Sequence, residues 1–158
     1  MAELVAVIGS AVCSADEAAR AETVGRILAE QGATLICGGG GGVMEAACRG
    51  ASQAGGVTIG LLPGPDRADA NPYVQIAIPT GLGEARNLLV GRAADAVIAI
   101  GGGYGTLSEI AFALKAGRLV IGLDSWQAVD GAGGPAAIRQ ATDAEQAVNC
   151  ALIAARSR

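Results

Sequence analysis

The chain is 158 residues long, 51% hydrophobic and 16% charged, with a net charge of −4 and no histidine. That length fits one domain spanning 1–158, and no uninterrupted apolar run of about 18 residues is present to cross a membrane. The absence of histidine removes imidazole bases and most zinc ligand sets, and the arginines are scattered, with Lys115 the single lysine, so no basic stripe points to nucleic acid.

Leu4–Gly9 is a short apolar run that predicts a strand. No basic, apolar and cleavable leader precedes it, so the expected location is the cytoplasm. Ser14-Ala15-Asp16-Glu17 reads as a capping box opening a helix to about residue 31, where Gly32 stops it. Residues 33–37 predict a second strand, 43–54 a helix stopped by Gly55-Gly56, and 57–61 a third strand. The stretch 63–72, with Pro63, Pro65 and Pro72, predicts an irregular loop. A fourth strand is expected at 74–79, a helix at 83–94, and a fifth strand at 95–100. A helix follows at 107–116, then a sixth strand over Leu119–Leu123 and a loop at 124–135. Residues 137–140 suggest a short seventh strand, and Thr142-Asp143-Ala144-Glu145 caps a last helix ending near 155.

The strands read as continuous apolar runs, which is the pattern of strands buried on both faces. Strand and helix alternate, so the sheet is expected to be parallel with right-handed crossovers. The predicted fold class is therefore α/β: Rossmann-like and doubly wound, a mostly parallel sheet of about six or seven strands with helices on both faces. Cys13, Cys37, Cys48 and Cys150 show no CxxC spacing and read as free thiols, and no metal site is expected.

Two glycine-rich strand-to-helix turns carry the functional signal. Gly38, Gly39, Gly40, Gly41 and Gly42 lie between the second strand and the second helix. Each glycine costs about 1 kcal/mol against alanine in regular structure. Bare backbone with amides aimed at an anion would require such a run; so would a loop crossing close to a neighbouring strand. The second turn, Gly101-Gly102-Gly103-Tyr104-Gly105-Thr106-Leu107-Ser108-Glu109, repeats the geometry. A helix N-terminus offers about half a positive charge and unpaired amides, and Thr106 adds a hydroxyl. Glu109 has two readings: a ligand-facing carboxylate, or the far end of a Thr106-x-x-Glu109 capping box. Both turns fall at carboxyl ends of strands, where open α/β sheets bind ligands. A dinucleotide fingerprint fits poorly, because Thr106 stands at its third glycine and the first strand leads only into Gly9-Ser10, although Asp124 stands roughly where a ribose-binding acid would.

Gly38-Gly39-Gly40-x-x-Val43-Met44-Glu45, then Arg86-Asn87, then Gly102-Gly103-x-Gly105-Thr106-x-x-Glu109 resemble the "lysine decarboxylase-like" superfamily. That superfamily includes the LONELY GUY cytokinin-activating phosphoribohydrolases and the molybdenum cofactor carrier proteins. The resemblance runs from about residue 9 to 123. Toward the enzymes, it implies Arg86 and Glu109 as catalytic residues cleaving the N-glycosidic bond of nucleoside 5′-monophosphates. The carboxylate would stabilise an oxocarbenium-like centre and the arginine would grip phosphate or the leaving group. Gly101 replaces the proline of the enzyme motif, and Asn87 replaces its lysine, which removes a cation from the phosphate side. Gly81-Leu82-Gly83-x-Ala85-Arg86-Asn87, Leu61-Leu62-Pro63-Gly64 and Asn71-Pro72-Tyr73 are more similar to the carrier branch. That resemblance implies binding without turnover, with molybdenum cofactor as cargo, no cofactor required, and a homodimer or homotetramer.

The expected ligand-binding set is Gly9, Ser10, the five glycines at 38–42, Met44, Arg86, Asn87, Gly102, Gly103, Tyr104, Gly105, Thr106 and Glu109. Tyr104 would stack on a planar ring. Asn71 and Tyr73 either reach into the site or form a structural corner, Trp126 serves the site rim or a subunit contact, and Glu45 complements a helix dipole or, as the resemblance implies, stands in a stretch that faces the ligand. The expected function is binding of a phosphorylated heterocycle, a nucleotide or molybdopterin; the alternative is a nucleoside 5′-monophosphate N-glycosidase.

Overall fold

The computed structural model describes Met1–Arg158. Seven strands form one sheet: β1 (Leu4–Gly9), β2 (Thr34–Cys37), β3 (Thr58–Leu62), β4 (Ile76–Pro79), β5 (Ala96–Ile100), β6 (Leu119–Leu123) and β7 (Ile138–Gln140). Their order is β4-β3-β2-β1-β5-β6-β7, and every adjacent pair is parallel. Helices α1 (Ala15–Glu30), α2 (Val43–Gln53) and α5 (Ala144–Arg156) cover one face. Helices α3 (Asn87–Ala93) and α4 (Tyr104–Lys115) cover the other. The expected doubly wound α/β architecture is the observed one.

The two-residue period of a strand divides the core between these layers. Val5 and Val7 of β1 pack with α1, α2 and α5, whereas Ala6 and Ile8 pack with α3 and α4. Small residues let the layers close tightly. At Gly25 of α1 and Gly50 of α2, a Cβ would run into the backbone of the facing helix at Ala47 and Glu22. The chain winds outward from β1 through β2, β3 and β4, then returns to β5 on the other side of β1. The switch point therefore lies beyond the carboxyl ends of β1 and β5.

Several boundaries differ from expectation. The fourth strand is shorter than 74–79: it begins at Ile76, because Asn71 and Thr58 hold the backbone amides of Val74 and Gln75. The helix expected over 83–94 is split into a 3-10 turn, Gly83–Arg86, and α3, so Arg86 stands at a joint. Helix α4 begins at Tyr104, three residues earlier than expected, with Gly103 as its N-cap. Thr106 and Glu109 therefore lie inside α4, and the capping-box reading of that pair is corrected. The last helix is capped one residue later than expected, Asp143 accepting from the Gln146 amide while the Gln146 side chain accepts from the Thr142 amide. The Ser14–Glu17 box forms as expected.

Candidate functional site

A cavity of about 420 Å³ opens at the switch point. Gly9, Ser10 and Ala11 reach it from the end of β1, and Met44 from the first turn of α2. Arg86 and Asn87 close the side nearest α3, while Gly103, Gly105, Thr106 and Glu109 come from the start of α4. A groove of about 470 Å³ runs between α1 and α2. Its Arg26 and Glu30 pair with each other at 2.6 Å, and Glu22 pairs with Arg49 at 2.8 Å, so its charges are already matched.

Helix α4 presents open donors to the cavity. Its first intrahelical bond is the Leu107 amide donating to the Gly103 carbonyl at 3.0 Å, so the amides of Tyr104, Gly105 and Thr106 precede any backbone partner. Those donors and the helix dipole favour an anion at this point. No Cβ at Gly105 narrows the approach. Gly102 adopts φ +104, and a Cβ there would strike the Thr106 side chain.

Arg86 is held by backbone carbonyls. Its Nη1 donates to the Gly38 carbonyl at 2.6 Å and to the Leu61 carbonyl, while its buried Nε has no partner in the chain. Burial lowers the pKa of this guanidinium and the charge of Glu109 opposes that shift; an arginine stays cationic regardless. Glu109 is 7% exposed, and none of its side-chain oxygens is hydrogen-bonded within the chain. Burial pushes its carboxyl up to about 7, with the Arg86 charge acting in the opposite direction. Asn87 is tied across to α4, donating from Nδ2 to Ser108 Oγ at 3.0 Å.

The other glycine turn is built differently. None of Gly38, Gly39, Gly40, Gly41 or Gly42 lines the cavity. A Cβ on Gly39 would strike the Leu62 side chain, and one on Gly42 (φ +60) would strike the Ser10 carbonyl. A Cβ on Gly38 would fall on the Arg86 guanidinium. These contacts match the close-crossing reading of the turn. Asn71 locks it in place: Nδ2 donates to the Gly40 carbonyl at 2.9 Å, and Oδ1 accepts from the Tyr73 amide at 3.1 Å. Asn71 and Tyr73 thus form a structural corner, with the Tyr73 ring beneath the Arg49 guanidinium.

Tyr104 is 83% exposed and pairs with Trp126, ring centroids 5.8 Å apart, outside the cavity wall. Trp126 Nε1 donates to the Gly103 carbonyl at 3.1 Å, which fixes the indole beside the start of α4. Asp124 is paired with Arg20, and Glu45 sits in the first turn of α2 away from the cavity. Ala11, Pro63, Gly83 and Glu84 also line the cavity and were not singled out from the sequence. Pro63 and Gly83 fall within the carrier-like stretches, which was the available signal.

The SLOG cluster4 family pattern matches residues 2–153. The chain belongs to the SLOG cluster4 family. This membership agrees with the superfamily resemblance carried by the paired glycine motifs. A protein of Archaeoglobus fulgidus is 43% identical to this SLOG cluster4 chain over 128 residues, 80% of this chain and 83% of that one. The structure of the molybdenum cofactor binding protein from Rippkaea orientalis superposes with a TM-score of 0.88 at 34% identity. The match covers 100% of this chain and 99% of that one. The rice cytokinin riboside 5′-monophosphate phosphoribohydrolase LOG (Oryza sativa subsp. japonica) is 35% identical over 91 residues, 55% of this chain and 37% of the enzyme.

Proposed function

We propose that the switch-point cavity binds a phosphorylated heterocycle and carries it without cleaving it, with molybdenum cofactor as the leading cargo. The observation that carries this reading is the open start of α4, whose Gly105 and Thr106, with amides free of backbone partners, line the same cavity as the anchored Arg86. A phosphate would sit on those amides, with Arg86 and the Thr106 hydroxyl beside it. No histidine or cysteine lines the cavity, so the protein would hold a molybdopterin by its phosphate and ring rather than by its metal. The 34% identity to the Rippkaea orientalis molybdenum cofactor binding protein, across essentially both chains, favours the same ligand class. The expected setting is a cytoplasmic homodimer or homotetramer.

The hydrolase reading rests on Arg86 and Glu109 facing one cavity. One feature weighs against turnover. Asn87, spent on Ser108, supplies no second cation to the phosphate.

Calorimetry with AMP, GMP and isolated molybdenum cofactor, paired with chromatography for free base, separates the two. The carrier reading predicts binding with no base released. Absence of binding by all three would overturn it. Base release that disappears in Glu109→Gln would establish the hydrolase instead.

A further inference from the structure

Glu109 occupies an unusual position for a carboxyl group. It is 7% exposed, it borders the cavity, and it has no hydrogen-bond partner in the chain. The groups around it leave the carboxyl with little compensation. Arg86, from the joint before α3, is the one charged group acting on it, and Nη1 of that guanidinium is committed to the Gly38 and Leu61 carbonyls. The end of β1 brings only Gly9, Ser10 and Ala11, α2 brings Met44, and α3 brings Asn87, whose amide is bound to Ser108. Glu84, the other carboxylate of the cavity, is exposed at its mouth.

The site described above sets an anion-attracting helix end and a buried carboxylate in one small space. A phosphate monoester carries about −1.5 to −2 charge at neutral pH. Placed on the α4 amides, it adds like charge to the surroundings of Glu109, and its arrival drives out water that solvates the carboxylate. Both changes favour the neutral acid.

We propose that ligand binding here is coupled to protonation of Glu109: the phosphorylated ligand enters together with one proton from solvent, which bonds to a Glu109 carboxylate oxygen. The inference rests on the cavity being the phosphate site. The neutral acid then donates its O–H to an acceptor atom on the ligand, a bond that an ionised carboxylate cannot make. Cargo is taken up toward acidic pH and released toward alkaline pH. The sign follows from linkage: the bound state holds the proton more tightly, so affinity is full below the free-state titration near pH 7 and declines as pH rises above it. Where the free form is ionised and the bound form is not, that decline is about tenfold per pH unit.

The test is calorimetric titration of the full chain with AMP and, separately, inorganic phosphate, from pH 6.5 to 9, in paired buffers of different ionisation enthalpy. Above about pH 7.5 the phosphate of free AMP has lost its second proton, so uptake there belongs to the protein or to the complex. The wild type is expected to take up more than about half a proton per AMP near pH 8 and to lose affinity about threefold or more per pH unit there. Glu109→Gln is expected to show no Glu109-linked uptake and a flat profile over the same range. Binding of AMP without proton uptake, or a Gln variant that keeps the slope, overturns the inference while leaving phosphate binding intact. Failure of both probes, and of isolated molybdenum cofactor, to bind at any pH overturns the cavity's assignment and this inference with it. Should the variant fail to fold, ¹³C titration of the Glu109 carboxyl in wild type, with and without AMP, gives the same answer. An upward-moving midpoint supports the coupling and an unmoved one overturns it.

Discussion

The two glycine turns occupy equivalent places, each between the end of a buried strand and the start of a helix, yet they do different work. The turn after β2 is packed against its own molecule. Its missing side chains admit Leu62, the Ser10 carbonyl and the Arg86 guanidinium, and none of its residues reaches the cavity. The turn after β5 faces outward, with Gly103 and Gly105 on the cavity wall and free amides at the start of α4. One turn supports the Arg86 cation; the other leaves its helix amides open toward the cavity, where the proposal seats an anion. The chain therefore assembles its candidate phosphate site from a packed half and an open half.

Substitutions separate these halves by what they disturb. The largest effect is expected at Gly42, where alanine would need both the left-handed φ of +60 and space already filled by the Ser10 carbonyl. Gly42→Ala should lose about 3 kcal/mol or more in denaturant unfolding. Next comes Glu109→Gln, which acts through charge rather than volume. A carboxyl moved from 4.5 to about 7 withholds about 3 kcal/mol of stability above pH 7. The penalty is absent below pH 4.5, grows between 4.5 and 7, and is complete above that. Thermal melts should show the variant more stable than wild type at pH 8 and level with it at pH 4. Equal differences at both pH values would contradict the assignment of that burial cost.

Asn71→Ala removes the side-chain bonds to the Gly39 and Gly40 carbonyls and to the Tyr73 amide. A loss of about 2 kcal/mol is expected, with AMP affinity within about threefold of wild type if the Arg86 seat survives. The smallest stability change belongs to Gly105→Ala. Nothing lies within 4 Å of the added Cβ, so stability should hold or rise by up to about 1 kcal/mol, while phosphate affinity falls. A variant that loses stability and keeps affinity would reverse the division between the turns.

The architecture was legible because its signals are local. Continuous apolar strands, the Ser14–Glu17 box, and glycine or proline stops mark β1, α1 and their successors to within a few residues. The division of labour between the turns was not. A run of glycines looks alike whether its bare backbone faces a ligand or a neighbouring chain segment. What distinguishes them here is Arg86, 48 residues after Gly38, whose guanidinium fills the space a side chain would take. Thr106 and Glu109 were ambiguous for a related reason. Their spacing suits a capping box, and only the start of α4 at Tyr104 moves both inside the helix and places Glu109 on the cavity wall. Cysteine patterning gave no hint that Cys37 and Cys48 pack 3.5 Å apart beneath the first turn, since that contact joins a strand to a helix.

A crystal structure of the protein with AMP would show whether phosphate is held by the start of α4. Phosphate oxygens are expected within hydrogen-bond distance of the Tyr104, Gly105 or Thr106 amides, with the Arg86 guanidinium alongside. Phosphate density on the Gly40–Gly42 amides instead, or in the groove between α1 and α2, would contradict it.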